Sequence, residues 1–173
     1  HRDVLLGPMA ALVFFLDQFT KAIVRESIGL GQSVPTGGFF RFTHAINTGS
    51  AFGLFPNQTL FLIGASIVGI SVLVFFYRHQ RRPSLLLRLS LGFQLGGALS
   101  NLTDRVTLGY VVDFIDVGPW PIFNLADSSI VVGMAILIGV LVLADEGSEK
   151  ELRPLQSADE RDEPSGPDAL VHG

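Results

Sequence analysis

The sequence predicts a membrane protein of the all-α class, with four transmembrane helices in a bundle and a small extracytoplasmic β element. Three observations predict it. Of the 173 residues, 48% are hydrophobic and only 16% are charged, which is too apolar for an ordinary soluble domain of this length. Four runs approach the ~20 apolar residues needed to cross a hydrocarbon core: Val4 to Val24, Leu60 to Tyr77, Leu85 to Leu102, and Ile122 or Ala126 to Leu143. The few polar groups within these runs gather at one end of the predicted bundle.

The first run is read as an anchor that stays, because a cleavable signal would precede a polar mature domain and here more apolar runs follow. The loop after it alternates apolar and polar residues around Gly and Pro (Val34, Pro35, Gly37, Gly38, Phe39, Phe40, Phe42), a pattern that suits a small sheet. Its Phe-rich stretch from Phe39 to Phe55 is the candidate for a segment that closes over a site or packs on the membrane surface. Between the second and third runs lie Arg78, His79, Arg81, Arg82 and Arg88, the densest basic cluster, which marks that loop as cytoplasmic. Both termini are then cytoplasmic, and the loops at about 28–57 and 103–121 are extracytoplasmic. Arg88, inside the third run, is read as extending its charged head to the interface. Gly92 and Gly96 in the same run suit close helix packing.

After Leu143 the composition changes abruptly. Nine acidic and three basic residues, with Pro and Ser among them, predict a disordered cytoplasmic tail over 145–173 beside a membrane domain over 1–144. The net charge of -4 comes from this tail, so the acidic balance says nothing about the membrane part.

Ionisable groups in spanning helices need a partner, a wet cavity or a function. Asp17 and Lys21 lie late in the first run, Asn101, Asp104 and Arg105 end the third, and Asn124 and Asp127 open the fourth; the topology brings all of them to the outer end. Asp17 and Lys21, four apart, read as a local ion pair. Asn101 with Asp104, and Asn124 with Asp127, are three apart and can each turn an amide and a carboxylate to one cavity, since a helix cap explains one residue of each pair and not both. Asp113 interrupts the apolar run Tyr110 to Ile115, whereas Asp116 reads as a water-exposed loop carboxylate.

With no Cys, thiolate nucleophiles and disulfides are excluded, and His44 is the single His predicted at the outer end. No G-x-S-x-G setting supports a Ser-His-Asp triad, and ligand spacing for zinc is absent. A hard cation on Asp113, Asp116 and Asp127 would lack a metal-loop motif. Two carboxylates sharing one proton need no cofactor: one takes a proton from water as it attacks a peptide carbonyl, and the other protonates the developing oxyanion. Pattern alone does not choose which carboxylates form that pair. A small proton-coupled transporter subunit is the rival reading, although its polar groups should reach both faces.

The chain resembles lipoprotein signal peptidase, or signal peptidase II, from near its start to about Leu143. The resemblance is carried by Asp17-Gln18-Phe19-Thr20-Lys21, Asn47-Thr48-Gly49-Ser50-Ala51-Phe52, Gly96 to Arg105, Val111-Val112-Asp113-Phe114-Ile115, and Phe123-Asn124-Leu125-Ala126-Asp127. It implies that Asp113 and Asp127 are the catalytic dyad of an aspartic endopeptidase without a cofactor or metal. It also implies that Asn47, Gly49, Asn101, Asp104, Arg105 and Asn124 surround dyad and substrate, with Asp17 and Lys21 supporting the active architecture. The implied substrate is a prolipoprotein, cut on the N-terminal side of a lipobox Cys that carries diacylglycerol. The setting would be a bacterial plasma membrane, with the site at its outer face. A monomer that contacts membrane lipid, binds no nucleic acid and is inhibited by globomycin-like cyclic peptides is expected. Ser100 stands where that family usually has Gly, and Ser50 where Ala is common; the acidic tail has no counterpart in the resemblance.

Overall fold

A computed structural model of the protein describes residues 5–49 and 58–162, with side chains to 143. Ser50, Phe52 and Phe55, and with them part of the Phe-rich stretch, lie outside the described residues. Among the described residues four helices and three strands follow one another in the order α1 Leu6–Ser27, β1 Ser33–Val34, β2 Arg41–Asn47, α2 Gln58–His79, α3 Leu85–Thr107, β3 Val111–Asp116 and α4 Leu125–Asp162.

Three of the helices have the length and apolarity to cross a membrane: α1 (mean hydropathy 1.3), α2 (2.5) and Leu125–Leu143 of α4 (2.3). The third predicted span, α3, does not join them, because Arg88, Gln94, Asn101, Asp104 and Arg105 dilute it. It has less need to be apolar. Leu91, Ser90 and Ser100 of α3 are fully covered by protein, whereas α2 has no buried residue at all. Polar groups shielded by neighbouring helices meet protein donors and acceptors in place of hydrocarbon.

Small residues let the helices approach. A Cβ on Gly92 would lie 2.8 Å from Met9 Cβ, and one on Gly96 would lie 2.5 Å from the Ala10 carbonyl oxygen, so both glycines of α3 are pressed against α1. On the opposite side Gly97 meets the Ala126 carbonyl, and Gly133 of α4 meets that of Ser90. The Ser90 hydroxyl donates to the Gly133 carbonyl at 2.9 Å, a polar tie across the same crossing.

The three strands form one antiparallel sheet in the order β1-β2-β3. Two strands come from the first interhelical loop, as the alternation there predicts. The third comes from the loop before α4, where Val111 to Asp116 is buried almost throughout and so shows no alternation to read. Beyond β3, Ile115 bridges to Phe123, whose N–H donates to the Ile115 carbonyl at 3.1 Å. That bridge brings the start of α4 beside the strand.

The chain divides into two compact units, His1–Leu137 and Ile138–Gly173, and every residue of the site described below belongs to the first. The α4 backbone is helical to Asp162.

Candidate active site

Three charged side chains lie between α1 and the C-terminal half of α3. Lys21 Nζ lies 2.7 Å from Asp17 Oδ2 and 2.9 Å from Asp104 Oδ2, and it donates to Asn101 Oδ1 at 2.9 Å. An ammonium has three protons, and these three partners use them all. The i,i+4 pair read from the sequence is real, but it is one edge of a larger cluster. Asp17 Oδ1 accepts the Ala126 N–H at 2.9 Å, satisfying one of the orphan amides in the first turn of α4. The carboxylate therefore reaches across the protein and holds the residue next to Asp127. Asp104 accepts from Gln18 Nε2 at 2.7 Å and from the Val112 N–H at 3.3 Å, tying α3 to β3.

Beside this cluster stand Asp113 and Asp127, which among the described residues are held by neutral amides alone. Asn124 Nδ2 donates to Asp113 Oδ1 at 2.6 Å and Asn47 Nδ2 to Asp113 Oδ2 at 3.0 Å; Asn101 Nδ2 donates to Asp127 Oδ1 at 2.8 Å. Asn124 Oδ1 accepts the Asp127 N–H at 2.9 Å while Asp127 Oδ2 accepts the Asn124 N–H at 3.4 Å. This is a reciprocal cap at the start of α4. The sequence argument that capping explains one residue of such a pair is thus corrected: the cap uses both. It leaves Asn124 Nδ2 free to hold Asp113, so a single side chain braces one carboxylate and caps the helix that carries the other.

Asn47 reaches Asp113 because of a bulge. Arg41 pairs with Asp116 and Phe42 with Ile115, but Ala45 pairs with Asp113, one residue out of that register. The extra residue in β2 moves Asn47 onto the face that carries Asp113. Gly49, at φ +74°, closes the turn with its N–H donating to Asn47 Oδ1 at 2.8 Å, which aims the amide nitrogen at Asp113.

Burial pushes the Asp113 carboxyl up to about 6, with the Asn47 bond opposing it and the charge of Asp127 adding to it. Arg105, half-buried, lies within electrostatic reach of Asp127, Asp113 and Asp104, and among the described residues its one hydrogen bond goes to the Asn101 carbonyl at 3.4 Å. The structure thus brings Asp17, Lys21, Asn47, Gly49, Asn101, Asp104, Arg105, Asp113, Asn124 and Asp127 to one end of the molecule.

Asp116 corrects the sequence reading. It is 5% exposed, not a solvated loop carboxylate, and accepts from Arg41 at 2.7 Å, Thr43 at 2.8 Å and the Gly118 N–H at 3.0 Å. The Gly118 amide first, then Thr43 and Arg41, hold its carboxyl below the usual range. Its partner Arg41 lies 75 residues away, across a strand pairing that no local pattern announces. Sequence reasoning also passed over Gln18 and treated Ser100 as a small substitution. Both side chains bond the α1–α3 carboxylates.

The sequence profile of signal peptidase (SPase) II matches residues 9–143. The chain belongs to the signal peptidase II family. Among similar proteins, the lipoprotein signal peptidase of Moorella thermoacetica is 43% identical over 144 residues, 82% of this chain and 96% of its own. That of Halothermothrix orenii is 44% identical over 128 residues, 73% of this chain and 88% of its own. A solved structure described as a bacterial membrane enzyme superposes with a TM-score of 0.74 at 33% identity, covering 84% of this chain and 92% of the other. The signal peptidase II resemblance noted in the motifs therefore holds along the helical part of the chain, and the protein is an aspartic endopeptidase, a hydrolase of bacterial membranes. Nothing in these likenesses favours a transporter subunit.

Proposed function

We propose that this signal peptidase II acts on prolipoproteins, cutting on the N-terminal side of the diacylglyceryl-modified lipobox Cys, with Asp113 and Asp127 as its catalytic dyad. The observation that carries the assignment is Asn124, which hydrogen-bonds Asp113 at 2.6 Å and caps the helix turn bearing Asp127. Neutral amides orient the two carboxylates and favour the anion less than a cation would, while burial of Asp113 favours its proton, the condition a shared proton requires.

Asp113 is half-protonated at about pH 6, so the pair keeps a proton well above the ordinary carboxylate range. The ionised partner takes a proton from water as the water oxygen adds to the scissile carbonyl carbon; the protonated one donates to the carbonyl oxygen. Collapse of the tetrahedral intermediate breaks the C–N bond, and a carboxyl proton passes to the departing amine. Asn47 and Arg105 have donors for the substrate backbone and for developing charge. No metal or cofactor enters.

An apolar cavity of about 500 Å³, lined by Leu62, Ile70, Leu73, Ala98, Ile130 and Met134 among others, is the groove we assign to the signal helix. Ala98 and Ile130 stand one turn from Asn101 and Asp127. On this reading α3 is the fourth span, shielded by its neighbours, and residues 1–144 form the membrane peptidase unit. The exposed Arg78, Arg81 and Arg82 lie in the cytoplasm with both termini and the 145–173 tail. The site then opens at the outer face of the bacterial plasma membrane, the protein works as a monomer among lipids, and globomycin-like peptides inhibit it.

The test is product mass spectrometry on a prolipoprotein presented with and without its diacylglyceryl group, in the presence of a chelator. Release of a single fragment beginning at the lipidated Cys, with the unmodified substrate left whole, is expected. Equal cleavage of both substrates, or silence on adding chelator, would sink this account.

A further inference from the structure

Ser100 lies on α3 at the crossing with α1 and is wholly buried. Its hydroxyl donates to Asp17 Oδ2 at 2.7 Å and accepts from Gln18 Nε2 at 2.9 Å. The surrounding cluster holds two buried carboxylates, Asp17 and Asp104, on one ammonium. Lys21 has already used its three protons. The remaining hydrogen bonds to the two carboxylates come from neutral donors, and among the described residues Ser100 supplies the one side-chain hydroxyl.

What Asp17 holds makes this matter for the reaction. Its other oxygen grips the Ala126 N–H, next to Asp127, and its partner Lys21 fixes the Asn101 carbonyl, whose amide nitrogen holds Asp127 from the other side. Two separate lines thus run from Asp17 to Asp127. We propose that Ser100 is a positioning residue for Asp127: its hydroxyl locks the Asp17 carboxylate, and through it both the first turn of α4 and the Asn101 amide. The proposal rests on the assignment of Asp127 to the dyad.

Ala and Gly at this position make different demands. Ser100→Ala removes the donor and leaves a methyl group where a replacement water would have to stand. Ser100→Gly also removes the donor but opens a polar gap of about one water, lined by the Asp17 carboxylate and the Gln18 amide, where a water can bond both. Helix stability runs the other way, since Gly is a much weaker helix former than Ala.

The experiment measures kcat, KM and the thermal midpoint of the purified full chain in detergent, using a diacylglyceryl-modified prolipoprotein, for wild type, S100A, S100G and D127N. S100A should lose about tenfold in kcat with KM unchanged. S100G should be the faster enzyme and the less stable protein of the two. A wild-type kcat in S100A, a change confined to KM, or activities that follow the midpoints would each overturn the proposal. D127N separates its failure from that of the dyad: if D127N is silent, a wild-type S100A sinks Ser100 alone, whereas an active D127N removes the assignment on which the proposal stands.

Discussion

Two groups of carboxylates sit side by side at one end of the molecule and are held in opposite ways. Asp17 and Asp104 are clamped by Lys21 and by donors from Ser100, Gln18, Ala126 and Val112. Asp113 and Asp127 have hydrogen bonds from Asn47, Asn101 and Asn124, and among the described residues no side-chain cation bonds them. An adjacent ammonium holds a carboxylate as the anion more strongly than a neutral amide donor does. On the proposed assignment the first group keeps geometry and the second performs chemistry, although both are built from the same residue type.

The sharpest break of this contrast is to remove the titratable group from the second pair while keeping its shape. Asp113→Asn and Asp127→Asn should each lower kcat by about 10⁴-fold or more while the protein stays folded, as single-turnover cleavage and a thermal midpoint will show. Substantial turnover in either variant would mean that no proton is shared there.

The opposite change should damage the fold. Lys21→Met strands two buried carboxylates without their cation, and loss of one partner from a buried ion cluster costs about 3–5 kcal/mol. Denaturant unfolding in detergent will register it, and activity should disappear through the loss of native protein. A variant as stable as wild type would show that the cluster is not what holds α1 to α3.

Asn124 belongs to both functions, so Asn124→Ala should show both effects in smaller measure. Loss of the cap costs about 1 kcal/mol, and kcat should fall about a hundredfold as the two carboxylates lose their common brace. A fall in stability with kcat intact would leave Asn124 as a cap only.

The mildest perturbation reads the coupling directly. The charge of Asp127 is one of the causes that raise Asp113, so in Asp127→Asn the Asp113 carboxyl should titrate at lower pH than in wild type, followed by its infrared carbonyl band. The sign also carries to stability. A folded value of about 6 exceeds the unfolded one of about 3.9, so the native state binds the proton more tightly. The stability contributed by Asp113 is fully present below about pH 4 and is lost as pH rises through about 6. Asp116 behaves in the reverse sense, contributing stability above its ordinary range that is lost as pH falls through its lowered folded value.

Much of this was legible in the chain. Apolar runs are local properties, and they located α1, α2 and the membrane-length part of α4 to within a few residues. The rule that buried charge needs a reason singled out Asp17, Lys21, Asn101, Asp104, Asp113, Asn124 and Asp127 before any contact was known. The choice of dyad came from the resemblance, because periodicity places a residue on a face but says nothing about which carboxylate finds a cation.

That second question depends on partners distant in sequence. Lys21 reaches Asn101 across 80 residues, Asp17 reaches Ala126 across 109, and Arg41 covers Asp116 across 75. The bulge in β2 decides that Asn47 faces Asp113, and a one-residue shift of register leaves no trace in composition. The sequence by itself determined the helices and the end of the molecule where polarity collects, since both follow from hydropathy and spacing along one segment. Only the tertiary structure decided which carboxylates meet a cation and which meet amides, because those partners are the groups that folding brings within about 3 Å.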